Sequence, residues 1–95
     1  MDPILVSNNA AQGQFEVTIG AATAVLQYRL KGDRISLVHT GVPESLAGRG
    51  IGAALAKTAL EYAKDHQLRV VVICPYVKEY VKNHPVYQPL VVGPV

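Results

Sequence analysis

The sequence predicts an α+β fold, a mixed sheet of about five or six strands with one main helix and one short helix. Two observations lead to this prediction. Segments that alternate polar and apolar residues fill positions 14–40, as in half-buried strands. An amphipathic helical pattern and a continuous apolar run then follow over positions 51–73. The order strand, helix, strand predicts a right-handed crossover between two parallel strands.

The first half of the chain is predicted to form strands joined by tight turns. After a loose terminus at residues 1–3, an edge strand is expected at Ile4–Val6 and a turn at Ser7–Gly13. Three further strands are expected at Gln14–Ile19, Thr23–Leu30 and Arg34–Thr40. Alternation places Leu37 and His39 on one face of the last strand. The inward residues of the two strands before it are predicted to be Phe15, Val17 and Ile19, then Ala24, Leu26, Tyr28 and Leu30.

The second half is predicted to form a helix, a strand and a second helix. Apolar residues at helical spacing predict a helix over Ile51–His66. The β-branched run Val70–Ile73 is typical of a strand covered on both faces and paired in parallel. A short helix is expected at Tyr76–Asn83, with Pro75 at its start. Gln88–Val95 is predicted to form either a final edge strand or irregular structure.

Three glycines, Gly48, Gly50 and Gly52, alternate just before the main helix. The first turn of a helix has unpaired N–H groups and the positive end of the helix dipole, and glycine lets a ligand approach the backbone. This combination predicts a site for phosphate or pyrophosphate. It is not a Walker loop, because no Gly-Lys-Ser/Thr is present. A dinucleotide fold is disfavoured, because no acidic residue ends the next strand.

The segment resembles the acyl-CoA pyrophosphate loop of GNAT N-acetyltransferases, Gln/Arg-x-x-Gly-x-Gly/Ala. Gly50 and Gly52 fit this pattern, Arg49 supplies the basic residue common there, and Ala47 departs from Gln or Arg at the first position. Cys74-Pro75-Tyr76-Val77 and the later His-Pro-x-Tyr string make the chain similar to the short stand-alone GNAT-like domains. The resemblance extends over about Gln14–Tyr87 and implies a minimal GNAT-like fold, with residues 1–95 expected to form a single domain. It also implies acyl-CoA contacts from Val42, Gly48, Arg49, Gly50, Ile51, Gly52 and Ala53.

Candidate catalytic residues lie where the two parallel strands end. His39 and Cys74 are predicted to open on one cleft, since ligands bind beyond the carboxyl ends of parallel strands. A lone cysteine there is more often a small buried hydrophobe. The resemblance favours function instead, because in the short GNAT-like domains the matching Cys and His are the proposed active-site pair. Tyr80 is the candidate proton donor to a leaving thiolate, as GNAT enzymes often arrange.

Composition excludes several other classes of protein. A net charge of +2 without a basic cluster argues against nucleic acid as a partner. A single cysteine cannot form an internal disulfide, and the three histidines lack metal-ligand spacing. The missing metal-ligand spacing means that no metal is expected. No apolar run is long enough to span a bilayer, so no membrane partner is expected. The default expectation is a cytoplasmic protein of unassigned oligomeric state.

The first hypothesis for function is acetyl transfer from acetyl-CoA to a small amine or a protein lysine. His39 is the candidate base near neutral pH, and Cys74 is either the base or a nucleophile. A non-catalytic acyl-CoA-binding or interaction module is the alternative. A plain structural domain that uses Gly48–Gly52 only as a turn is a third possibility.

Overall fold

A computed structural model describes residues 4–92. These residues form a five-stranded mixed sheet in the spatial order β1-β2-β3-β4-β5. The first four strands are antiparallel neighbours, and β5 pairs with β4 in parallel. The predicted α+β fold and the parallel pairing of the strands before and after α1 are therefore confirmed. The strands are Ser7–Asn9 (β1), Gln14–Ile19 (β2), Ala22–Lys31 (β3), Arg34–Gly41 (β4) and Arg69–Val72 (β5).

Two α-helices contribute to a core shared with one face of the sheet. The main helix, α1, spans Ile51–Asp65, and the short helix, α2, spans Pro75–Asn83. The apolar stripe of α1 and two valines of α2 join the inward residues of β2–β5 in one buried cluster. Short 3₁₀ turns lie at Glu44–Leu46 and Pro85–Leu90.

The other face of the sheet is partly open, which contradicts the prediction that the apolar run of β5 is covered on both faces. Val70 is fully buried, Val71 is half-buried, and Ile73 is 58% exposed. Ile19 and Leu30, predicted to point inward, are also substantially exposed. Both lie near the hairpin ends of their strands. The apolar run predicted too much burial for β5, because both α-helices contribute to a single core on one face of the sheet.

The edge strand lies later than predicted. Ser7–Asn9, predicted to be part of a turn, forms β1, whereas Ile4–Val6 does not belong to a strand. Polar side chains fix this strand. The Tyr28 hydroxyl donates to Asn8 Oδ1 over 2.6 Å, and Asn9 Nδ2 donates to the Glu16 carboxylate over 3.0 Å. Hydrogen bonds to β2 and β3 thus outweigh the apolar preference of the preceding residues.

The C-terminal segment follows the irregular alternative in part. After the second 3₁₀ turn, Val91 makes a single parallel bridge to Val70, and the Val92 N–H donates to the Val70 carbonyl over 2.9 Å. The predicted loose terminus at residues 1–3 and the end of the predicted last strand, residues 93–95, lie outside the described residues.

Each α-helix carries the same aromatic pair at its C-terminus. His66 stacks on Tyr62, and His84 stacks on Tyr80, with ring centroids 4.0 Å apart in both pairs. Each His Nδ1, when protonated, donates to the carbonyl of that tyrosine, over 2.9 and 2.8 Å. The Tyr62 carbonyl also accepts the His66 N–H over 3.0 Å, so each histidine ring adds a side-chain hydrogen bond at the end of its helix.

Helix α1 ends in a Schellman motif with an unfavourable residue at its key position. The Leu68 N–H bonds to the Ala63 carbonyl and the Gln67 N–H to the Lys64 carbonyl. Gln67 has φ of 56°, in the left-handed region that glycine adopts at least cost.

We expect Gln67→Gly to raise the free energy of unfolding by about 0.5–1 kcal/mol, because the strain of a β-carbon at positive φ is removed. Urea denaturation measures the change. Gln67→Ala is the matched control and should give no such gain, since alanine keeps the β-carbon. Equal stabilisation by Gln67→Gly and Gln67→Ala would contradict the strain of a β-carbon at positive φ as the cause of the gain.

Candidate active site

The cleft begins where the parallel pairing between β4 and β5 stops. The last parallel partners are Leu37 and Val72. The Leu37 carbonyl then accepts two hydrogen bonds, from the N–H of Ile73 at 3.0 Å and of Cys74 at 2.9 Å. Beyond this point β4 continues to Gly41 paired with β3, without β5 beside it. The two strands part, and residues 38–41 present a free strand edge.

A β-bulge at the same point reverses which side chains face the cleft. Leu37 pairs with Tyr28 and His39 pairs with Gln27, so Val38 is an extra residue in β4. A bulge shifts the side-chain alternation by one position. Consequently Thr40, opposite the buried Leu26, faces the helices, whereas His39 lies on the opposite face from Leu37. The predicted shared face of Leu37 and His39 is therefore wrong.

Thr40 and Cys74 meet across the cleft. The Thr40 hydroxyl lies 3.3 Å from the Cys74 Sγ, and the thiol is 3% exposed. Burial, the largest influence, raises the pKa of Cys74. The Thr40 hydroxyl and the nearby backbone N–H groups of Val77, Tyr76 and Thr40 together outweigh it, so the pKa lies below its ordinary value. The thiolate is thereby favoured, although the thiol does not make a full capping hydrogen bond to α2.

His39 is exposed and lies on the outer face of the sheet. Its Nε2 lies 3.5 Å from where a β-carbon on Gly41 would be. The structure thus brings Cys74 together with Thr40 rather than with His39, the partner that sequence reasoning selected. Nothing in the sequence signals the bulge at Val38, and so Thr40 was missed as a partner of the thiol.

The glycine loop leaves open space before the first turn of α1. Gly48 and Gly50 have φ of 78° and 77°, and a β-carbon at either would meet no atom of residues 4–92 within 4 Å. Glycine is therefore favoured at these two positions by the positive φ, and not by a neighbouring group that packs against it. Gly50 is the N-cap of α1 and makes no side-chain capping bond, which leaves first-turn N–H groups free to bind an anion.

Gly52 has a different role. Its φ is not positive, but a β-carbon there would lie 2.9 Å from both Cζ and Oη of Tyr76. The Tyr76 ring therefore rests on the first turn of α1 while its backbone begins α2. This contact between the starts of the two helices has no signal in the sequence.

Tyr80 is half-buried in an aromatic stack on α2. Its ring lies 4.0 Å from that of His84 and 6.2 Å from that of Tyr87. Burial, followed by the neighbouring Tyr76 and Glu61, raises the pKa of Tyr80. For Tyr87, burial first and then Glu61 raise the pKa to about 12. Both phenols stay protonated at neutral pH, which a proton donor requires.

The remaining predicted contacts surround the same end of the sheet. Val42 packs beside the core at the end of β4, Arg49 is exposed in the loop, and Ile51 is buried at the start of α1. Ala53, half-buried, follows Gly52 in the first turn. Among residues 4–92, no three His, Cys, Asp or Glu side chains are grouped as metal ligands.

A separate cavity of about 590 Å³ lies away from this cleft. It is lined by residues of the segment before β1 and by the side of α1 that carries Tyr62 and His66. None of Thr40, Gly48–Gly52 or Cys74 lines it. Within the described chain, no helix has the length and apolar character needed to cross a membrane.

The sequence of this chain is similar to those of a known protein family. Residues 14–90 match the family model described as GCN5-related N-acetyl-transferase. The chain is 41% identical over 89 residues to the protein NATD1 of Bos taurus and 40% identical over 89 residues to that of Homo sapiens. Each alignment covers 90% of this chain and 79% of the relative.

A solved structure agrees with the fold. The NMR solution structure of a GCN5-like protein from Staphylococcus aureus superposes with a TM-score of 0.75 at 26% sequence identity. The match covers 100% of this chain and 94% of the other. The architecture of the described sheet and helices therefore recurs in a protein of similar length.

We expect Thr40→Val to raise the pKa of the Cys74 thiol, because the variant removes the hydroxyl that stabilises the thiolate. The measurement is the pH dependence of Cys74 alkylation by iodoacetamide in the folded protein, whose midpoint should move to higher pH. Thr40→Ser keeps the hydroxyl and should restore the midpoint.

His39→Ala is the matched control, since His39 lies on the opposite face and should leave that midpoint unchanged. A midpoint that moves with His39→Ala but not with Thr40→Val would contradict the Thr40–Cys74 pairing.

Proposed function

Because this chain belongs to the GCN5-related N-acetyltransferase family, we propose that it transfers acetyl from acetyl-CoA to an amine. The observation that carries the proposal is the convergence of two features at one end of the sheet. The open glycine loop Gly48–Gly52 precedes α1, and the thiol of Cys74, with its lowered pKa, lies where β4 and β5 part.

The loop is the proposed pyrophosphate site. Gly48 and Gly50 adopt positive φ, and neither has a β-carbon in the space before the first turn of α1. A helix N-terminus with free N–H groups favours phosphate. The exposed Arg49 guanidinium adds charged hydrogen bonds to the same anion.

The free edge of β4 is the proposed track for the rest of the acyl-CoA. Backbone groups of residues 38–41 lack a strand partner on the β5 side, and an extended chain with amide groups can pair there as an added strand. An N–H near Val42 would then polarise the thioester carbonyl. Acetyl-CoA supplies an activated acyl group. When the carbon–nitrogen bond forms, the thioester carbon–sulfur bond breaks and the CoA thiolate departs.

Cys74 is the proposed reactive residue of this chain. In direct transfer its thiolate takes the proton that the amine loses as nitrogen attacks the thioester carbon. In the covalent route the sulfur first accepts the acetyl group and then passes it to the amine. Either the Tyr80 hydroxyl or a solvent proton would protonate the departing CoA thiolate.

A non-catalytic acyl-CoA-binding module is the second candidate. It is favoured by the placement of His39, the predicted base, on the outer face of the sheet. Mass-spectrometric detection of acetylated product across small amines, polyamines and lysine peptides separates the two. Product that depends on Cys74 would support the enzyme, whereas CoA binding without product from any amine would favour the binding module.

We expect Gly50→Ala to weaken CoA binding roughly tenfold or more, since an added β-carbon crowds the anion and strains a positive φ. Isothermal titration with CoA measures the loss. Gly20→Ala is the matched control, because Gly20 has φ of 62° and equally open surroundings in the β2–β3 turn. Gly20→Ala should lose similar stability but keep its affinity for CoA. Equal losses of CoA affinity in the two folded variants would contradict the assignment of the loop as the pyrophosphate site.

A further inference from the structure

The contact between Tyr76 and Gly52 joins the two helices that border the cleft. Gly52 lies in the first turn of α1, which follows β4, and Tyr76 lies in the first turn of α2, which follows β5. The Tyr76 ring contacts the end of the glycine loop, and its backbone lies two residues after Cys74. The ring therefore connects the loop with the segment that carries the thiol.

Gly52 itself points to the importance of this ring. Its backbone does not require glycine, unlike those of Gly48 and Gly50, which have positive φ. A methyl group would lie 2.9 Å from Cζ and Oη of Tyr76, too close for the ring to stay where it is. The missing side chain at position 52 therefore makes room for an aromatic ring.

Tyr76 is also the more exposed of the two aromatic residues of α2. It is 44% exposed, whereas Tyr80 is stacked between His84 and Tyr87. Rotating the Tyr76 side chain into solvent would uncover Gly52 without opening the buried core, to which Tyr76 does not belong. Such a side-chain rotation is fast compared with typical turnover.

We propose that Tyr76 is a latch over the acyl-CoA cleft. In the free protein its ring lies on Gly52 and closes the passage from the glycine loop to Cys74, and acyl-CoA enters only when the ring swings out. This inference rests on the proposed acyl-CoA site. A latch lowers apparent affinity by the fraction of molecules that are open, so its removal tightens binding.

The test is isothermal titration of CoA into the wild type, Tyr76→Ala and Tyr76→Phe. Tyr76→Ala should bind roughly threefold tighter or more, and Tyr76→Phe, which keeps the ring, should bind like the wild type. Glu79→Ala, an exposed change on the same helix, is the control and should leave affinity unchanged. Weaker or unchanged binding by Tyr76→Ala would overturn the latch while leaving the CoA site intact. Failure of all variants to bind CoA would overturn the site and the latch together.

A double-mutant cycle tests the ring contact independently of ligand. Alanine is more favourable than glycine in a helix, but at position 52 it must displace the Tyr76 ring. Gly52→Ala should therefore stabilise the protein more in the Tyr76→Ala background than in the wild type, as measured by urea denaturation. Equal effects in both backgrounds would mean that the ring does not rest on Gly52 in solution, and the latch would fall.

Discussion

The cleft depends on a change in the hydrogen bonding of β4 at Leu37: up to this residue β4 pairs with both β3 and β5, and beyond it with β3 alone. One carbonyl accepts both the Ile73 and Cys74 N–H groups, which ends the parallel pairing, and the bulge at Val38 follows at once. The first event separates β4 from β5. The second turns Thr40 toward the helices, so its hydroxyl meets the Cys74 sulfur at 3.3 Å. A regular strand would have directed His39 there instead.

The three glycines of the loop are explained by two different constraints. Gly48 and Gly50 need positive φ, and the space around them is empty, as an anion site at a helix N-terminus requires. Gly52 needs room for the Tyr76 ring. The loop therefore combines a site open to ligand with a contact that spans the neighbouring helix ends, and these properties can be separated by mutation.

Strands β2–β5 and helix α1 could be predicted from the sequence because hydrophobic periodicity reports which face of an element is buried. The sequence predicted the glycine loop because glycine and helix ends have defined local chemistry. It failed where tertiary hydrogen bonds decide: β1 is held by Asn8 and Asn9, and the bulge at Val38 has no local signature. The resemblance to GNAT domains, confirmed by the family match over residues 14–90, selected Cys74 but could not orient His39.

The most direct test of a single acyl-CoA cleft is a titration of the ¹⁵N-labelled protein with acetyl-CoA, followed by amide chemical shifts. A single cleft requires that the largest changes fall on Gly48–Ala53, on residues 38–42 and on Cys74–Val77, three segments distant in sequence that meet at one edge of the sheet. Changes concentrated along the separate cavity beside Tyr62 and His66, or no changes at saturating ligand, would contradict it.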